Sequence, residues 1–378
     1  MPAPAALPAH ARVTSLDGLR GVAACAVVAF HFFYAFAPTP FLYAERPPFG
    51  LFRTPLAFFW NGDFAVAVFF VLSGFVLAAS APRSLAEAPI MIGLRYLRLG
   101  VPALISSILA WAWLTGFPHA ASGAQAISGS RWFRWTYQPP IPPLSQAMWE
   151  GGIGVFLQGT TRFNNPLWTM QAEFFGSLLI YGSYALLRGR VRPWAMAAGL
   201  VGFGVAELYF LMAFCGGALI YERRGQLGER RLAGALLAVA GLVLGATFPA
   251  PAAGPDLAAQ IFARLGADGV REIGAMFLVA AVLMTAPLRA LFESAPLQKI
   301  GELSFPIYLV HVPLIVAPAS AIFVALSPMS PLGLAALFAG TCAAALALAV
   351  VFLIAVERPV LAGLKALRRR VRARLAAP

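Results

Sequence analysis

Charge is what this chain has least of. Only 11% of its 378 residues are Asp, Glu, Lys or Arg, where a soluble domain carries about 25%, and that scarcity excludes a water-soluble globule. Lysine is nearly missing: Arg outnumbers Lys 26 to 2, the pattern of a GC-rich bacterial genome. Cysteine is rare and odd in number. Cys25, Cys215 and Cys342 each lie in an apolar run, with no C-x-x-C or Cys/His spacing, so they read as small hydrophobes without a redox or metal role. The chain also lacks a P-loop, a G-x-G-x-x-G turn, H-E-x-x-H and G-x-S-x-G. Those absences remove the common NTPase, dinucleotide, zinc-protease and hydrolase readings.

Apolar residues fill the space that charge leaves. The chain is 60% hydrophobic with a mean hydropathy of +0.78. Apolar runs bounded by charges, Pro and Gly lie near 18–38, 62–81, 99–117, 168–187, 194–206, 207–222, 232–250, 272–288, 303–325 and 333–356. Many approach the ~20 residues that a helix needs to cross ~30 Å of hydrocarbon. The expectation is an all-α, polytopic integral membrane bundle of ten transmembrane helices, forming a single membrane domain over 1–378. Ala35-Phe36-Ala37 resembles a signal-peptidase site, but the run before it is long and holds Arg20 and His31, so a retained first helix is expected. The stretch 194–222 reads either as a hairpin of two helices or as one tilted helix.

Cation placement orients the bundle. With ten spans and both termini cytoplasmic, the inner segments carry 20 cations and the outer ones 7, counting Arg12, Arg46, Arg53 and Arg83 among them. One long helix over 194–222 would put Arg223, Arg224, Arg230 and Arg231 outside, which favours the hairpin. The net charge of +13 then follows from cytoplasmic arginines, and no nucleic-acid partner is inferred. This topology gives a cytoplasmic segment 1–17, a long extracytoplasmic loop 118–167 and a basic cytoplasmic tail 357–378. The loop carries Trp132, Trp135, Tyr137 and Trp149, either as interface anchors or as a sugar-stacking rim. Met148 to Gly159 reads as a short interfacial or re-entrant helix.

Ionisable residues at membrane depth cost about 2.5–3.5 kcal/mol on insertion scales, so they face polar cavities or one another. Arg20 and His31 are eleven residues apart in one helix, about three turns, and so share a face ~16 Å apart along the axis. Glu173 lies five residues into a helix entering from the outer side, at a depth similar to that of His31. A carboxylate beside an imidazole fixes its tautomer and stabilises its cation, which is general-base chemistry for a hydroxyl nucleophile. The plainer readings are that Arg20 snorkels to headgroups, His31 packs, and Glu173 joins two helices. Arg95 and Arg98, at i and i+3, form a fork at the inner end of the third span, suited to phosphate or to lipid headgroups.

The run SLDGLRGVAACAVVAFH from Ser15 to His31 resembles the first helix of the acyltransferase-3 family of membrane acyltransferases, with its Arg followed by His after ten intervening residues. FFVLSGF from Phe69, RYLRLGVP from Arg95, NNPLWTMQAEFFGS from Asn164, SFPIYLVHVPL from Ser304 and ERP at Glu357 follow in the family's order. The resemblance implies a ten-helix fold, acyl-CoA as co-substrate with no other cofactor and no metal, and transfer of an acetyl or other short acyl group to a hydroxyl. It points to His31, Glu173 and Arg20 as catalytic, and to Arg95, Arg98, Tyr308, His311 and Ser73 on the acyl-CoA side. Two departures stand out. Ala65-Val66-Ala67-Val68 replaces a segment where many members have Asp, leaving Asp63 as the nearest acid, and no esterase-like domain is fused.

The expected function is transfer of an acyl group from cytoplasmic acyl-CoA to an extracytoplasmic glycan, glycolipid or lipid-linked carbohydrate, in the bacterial inner membrane. His31 either deprotonates the acceptor or transiently takes the acyl group. His311, eight residues from the inner end of its predicted span, is expected nearer the donor mouth. The alternative is a secondary transporter or flippase of a glycan precursor, which ten helices with interior His and Glu would also fit.

Overall fold

A computed structural model describes residues 13–37, 59–82, 84–159, 161–246 and 257–375. Arg12, Arg46, Arg53 and Arg83 of the charge count, and the N-terminal segment before residue 13, lie outside the described residues. Among the described residues every regular element is helical and there is no strand.

A helix lies over each of the ten apolar runs: α1 (Thr14–Phe36), α2 (Gly62–Ser80), α3 (Ala88–Gly116), α7 (Thr169–Leu186), α8 (Val191–Val205), α9 (Tyr209–Arg223), α10 (Arg231–Gly245), α11 (Leu257–Met284), α13 (Ala295–Leu314) and α15 (Pro331–Phe352). Five helical stretches are long and apolar enough to cross a membrane by themselves: Thr14–Phe36, Gly62–Ser80, Ala88–Gly116, Ala295–Leu326 and Pro331–Arg370. A sixth is the pair Leu265–Met284 and Ala286–Phe292, bent by 99°; its second member is α12 (Ala286–Phe292). The stretch 194–222 is two helices, α8 and α9, packed on each other across a turn in which Glu207 has φ 59°.

The predicted loop 118–167 is largely folded. It contains α4 (Ala120–Ser128), a 3-10 turn Arg131–Trp135, and a run made of α5 (Leu144–Trp149), a π segment Glu150–Gly154 and α6 (Val155–Leu157). Beyond α13 a π segment Ile315–Ala319 leads to α14 (Ser320–Leu326), and beyond α15 another, Leu353–Glu357, leads to α16 (Arg358–Leu375).

Local chemistry sets the ends. Asn61 caps α2, its Oδ1 accepting from the Phe64 N–H at 3.1 Å while its Nδ2 donates to the Gly245 carbonyl at 2.8 Å. Pro331 opens α15 behind the Ser330 cap, whose hydroxyl accepts from Gly333 N–H. Gly129, at φ +71°, closes α4 in the left-handed conformation that a Cβ would oppose.

The chain divides into two compact units. Within the described residues the first comprises 13–29, 59–91 and 175–304, and the second 30–37, 92–174 and 305–375. In the first unit small residues bring helices together. A Cβ on Gly217 would lie 2.0 Å from the Val71 carbonyl oxygen, and one on Gly74 would lie 2.2 Å from that of Phe214. α2 and α9 therefore touch backbone to backbone, the contact that dispersion favours where lipid offers no hydrophobic gain. The core of the second unit gathers Phe32, Leu114, Phe133, Phe163, Val312 and Ile315. Large apolar side chains face outward, with Val205 82% and Leu332 81% exposed, an arrangement that lipid satisfies and water does not.

Candidate active site

The second unit holds most of the ionisable residues singled out in the sequence. His31 sits in the last turns of α1, half-buried, and His311 sits in α13, fully buried. Their rings meet: His31 Nδ1 is 3.0 Å from His311 Nε2. On its other side His311 Nδ1 is 3.0 Å from the Ile307 carbonyl oxygen, one turn back in α13. His311, expected nearer the donor mouth than His31, is in ring contact with it, and α13 starts at Ala295, before the apolar run at 303 does. Trp132, from the 3-10 turn Arg131–Trp135, packs on His31 with ring centroids 5.4 Å apart, and Ser130 donates to the Tyr34 carbonyl at 2.6 Å.

A proline shapes this region. Pro313 has no N–H to give to the Leu309 carbonyl one turn earlier. That acceptor is instead taken by Ser106 Oγ at 2.7 Å and Asn164 Nδ2 at 2.8 Å. Asn164 Nδ2 also lies 2.6 Å from Ser106 Oγ, and all three groups are buried. Tyr308, expected from the sequence on the donor side, donates its hydroxyl to the Pro166 carbonyl and meets Thr169 Oγ1 at 2.7 Å. The NPLW turn that leads into α7 is thus fastened to α13 beside His311. Asn164 and Ser106 were missed as site residues; the only signal was the NNPLW motif.

Glu173, expected beside His31, makes its hydrogen bond to Arg95, Nη2 to Oε2 at 2.5 Å. Nδ1 of His31 meets the imidazole of His311. Arg98 pairs with Glu357, and its guanidinium lies over the Phe305 ring at 4.9 Å. Both arginines lie near the start of α3, which begins at Ala88, before the apolar run that starts at 99. At about 1.5 Å per residue its 29 residues exceed the hydrocarbon thickness, so charged turns near one end are accommodated.

Arg20 and Ser73 belong to the first unit. Arg20 Nη1 is 3.2 Å from Asp17 Oδ1, and Ser73 is half-buried in α2. Asp63, the nearest acid to the family's missing Asp, is 3.4 Å from the buried Arg271, which also pairs with Asp268.

The segment expected as a long loop has its own polar staple. Glu150, 5% exposed, accepts from Tyr137 Oη at 2.5 Å, Gln146 Nε2 at 3.1 Å and the Arg162 N–H at 3.1 Å. Burial, together with the Glu150 carboxylate, pushes the Tyr137 hydroxyl up to about 12. Of the four aromatics proposed as a rim, Trp132 is buried and Tyr137 serves the staple, while Trp135 and Trp149 are exposed.

A family model described as an acyltransferase domain matches residues 13–355, from the start of α1 into the last π segment. The chain belongs to the acyltransferase-3 family. No curated protein and no solved structure matches it. As an acyltransferase-3 protein with several helices able to cross a bilayer, it is a multi-pass membrane acyltransferase. Two further features of this acyltransferase join known motifs: ERP supplies Glu357 to Arg98 of RYLRLGVP, and the W-x-x-x-x-E segment supplies Glu173 to Arg95.

Proposed function

We propose that this acyltransferase takes an acyl group, acetyl in the simplest case, from cytoplasmic acyl-CoA and passes it to a hydroxyl of an extracytoplasmic glycan, glycolipid or lipid-linked carbohydrate. The observation that supports this best is the His31 pair: a half-buried imidazole bonded to a fully buried one, under an aromatic from the outer segment. The exposed ring is the one a hydroxyl reaches. His31 takes the acceptor proton, the oxygen bonds to the acyl carbon, the C–S bond breaks, and the thiolate leaves with the proton returned from the imidazolium. Thioester energy drives the exchange, so no metal or nucleotide hydrolysis is called for.

Arg95 and Arg98 serve the CoA phosphates. A carboxylate takes at most two of a guanidinium's five N–H donors, so the pairs with Glu173 and Glu357 are compatible with a phosphate. Tyr308 contributes to the donor side through the NPLW turn it holds. The topology that fits is ten spans with both termini in the cytoplasm of a bacterial inner membrane, supported by 20 inner cations against 7 outer ones.

The test uses purified protein in liposomes with labelled acetyl-CoA and a panel of carbohydrate acceptors. CoA release that depends on acceptor is the expected outcome, and His31→Ala or His31→Gln should lower it at least ~10²-fold while CoA binding persists. Acceptor flux without CoA release would instead identify a transporter or flippase.

A further inference from the structure

We propose that His311 is the positioning residue of this site: it holds His31 in the tautomer that carries its proton on Nδ1 and its lone pair on Nε2. The inference rests on His31 being the reacting imidazole, and it moves His311 from donor binding to orientation.

The argument is a chain of donors and acceptors. A carbonyl oxygen only accepts, so the contact of 3.0 Å between His311 Nδ1 and the Ile307 oxygen requires a proton on Nδ1. The two ring nitrogens of His311 meet an imidazole and a backbone carbonyl, neither of which carries the negative charge that a fully buried imidazolium would require. His311 is therefore neutral, and its Nε2 is an acceptor. The contact of 3.0 Å with His31 Nδ1 then requires the proton to sit on His31 Nδ1. In neutral His31 the lone pair consequently falls on Nε2.

A side chain that reads tautomers must itself be immobile. His311 is held by burial on all sides, by the Tyr308 ring with centroids 5.9 Å away, and by the anchoring of its own helix turn through Leu309 to Ser106 and Asn164. Trp132 packs against His31 with the rings tilted by 35° and limits rotation of the imidazole. The arrangement does what a buried carboxylate does for a catalytic histidine, orienting it and fixing its proton, but with a neutral group and a backbone carbonyl behind it. Either chemical role of His31, base or transient acyl acceptor, uses an unprotonated Nε2, so the inference serves both.

The chain has four histidines, which makes a direct readout practical. Full-length protein labelled with ¹⁵N-histidine, in nanodiscs, is compared with His31→Gln and His311→Gln to assign the rings. His31 should show a protonated Nδ1 and a bare Nε2. His311→Leu, which cannot accept, should release that preference and lower kcat about 10²-fold, with KM for acetyl-CoA unchanged. His311→Gln, whose amide oxygen accepts from the His31 Nδ1–H, should preserve the tautomer and recover at least tenfold of that loss. A protonated Nε2 on His31 in the native protein overturns the inference, as does a His311→Leu enzyme with a raised KM and normal kcat, or a His311→Gln enzyme as poor as His311→Leu. The spectroscopic result stands whether or not acetyl-CoA is the donor, so failure of the functional reading and failure of this inference are separable.

Discussion

Arg98 shows how a cation is kept in a membrane helix. Its guanidinium is shared between the Glu357 carboxylate and the face of Phe305, which lowers the cost of holding a cation within an apolar helix. If the same group grips a CoA phosphate, Arg98→Ala should raise KM for acyl-CoA about tenfold or more, since a hydrogen bond to a charged group is worth about 1.5–3 kcal/mol. Acceptor dependence should be unmoved, because a grip remote from the reacting atoms binds ground state and transition state alike. Steady-state kinetics in both substrates decide it, and equal losses toward donor and acceptor would make Arg98 a structural tie. The residue types of the site were legible from spacing and motif, but their pairing was not. His31 and His311 are 280 residues apart, Arg98 and Glu357 259, and Arg95 and Glu173 78. No local periodicity reports which of several buried carboxylates will meet which cation.

At the scale of elements, apolar runs located the helices well and their ends poorly. α3 and α13 both begin in sequence that carries charge or polar groups, Ala88–Arg98 and Ala295–Glu302, and a hydropathy reading stops where charge begins. Such a reading marks what lipid touches, while hydrogen bonds and ion pairs carry the helix further. A second element-level device is the clasp between the α9–α10 link and α12. Glu229 accepts from the Ala286 N–H at 3.1 Å and from Arg289 Nη2 at 2.7 Å. The backbone bond first, and Arg289 second, hold its carboxyl below the ordinary glutamate value. A carboxyl depressed in the folded state adds stability above its unfolded pKa of about 4.3, and that stability is lost as pH falls through the folded value. Melting temperature in detergent should therefore decline as pH drops below about 4, and Glu229→Gln should flatten part of that decline while sitting lower at neutral pH. An unchanged slope in the variant would assign the acid sensitivity to other carboxylates.

For the whole molecule, the proposed orientation makes a simple prediction. A fluorescent protein fused after Pro378 should mature and fluoresce in the cytoplasm, and a periplasm-dependent phosphatase inserted near Ser128-Gly129 should be active. The opposite pair of results would invert the topology and place Trp132 on the donor side. The segment expected as a long loop illustrates why a loop length is a poor guide to structure: its helices are short and its apolar residues irregular, yet Glu150 ties together Tyr137, Gln146 and Arg162. One more feature acts along the whole chain. Among the described residues there are three π segments, Glu150–Gly154, Ile315–Ala319 and Leu353–Glu357, all in the unit that holds the histidines. A π turn absorbs one residue beyond what an α-helix would use. Had the same residues wound as α-helix, everything beyond each turn would sit about 100° further round and about 1.5 Å further along. These turns are therefore the points where the chain tolerates a change of length: a single residue lost from 353–356 lets the turn tighten to α while Arg98's partner and the lipid-facing side of α15 keep their bearings. The same deletion a few residues earlier, inside α15, would rotate one against the other.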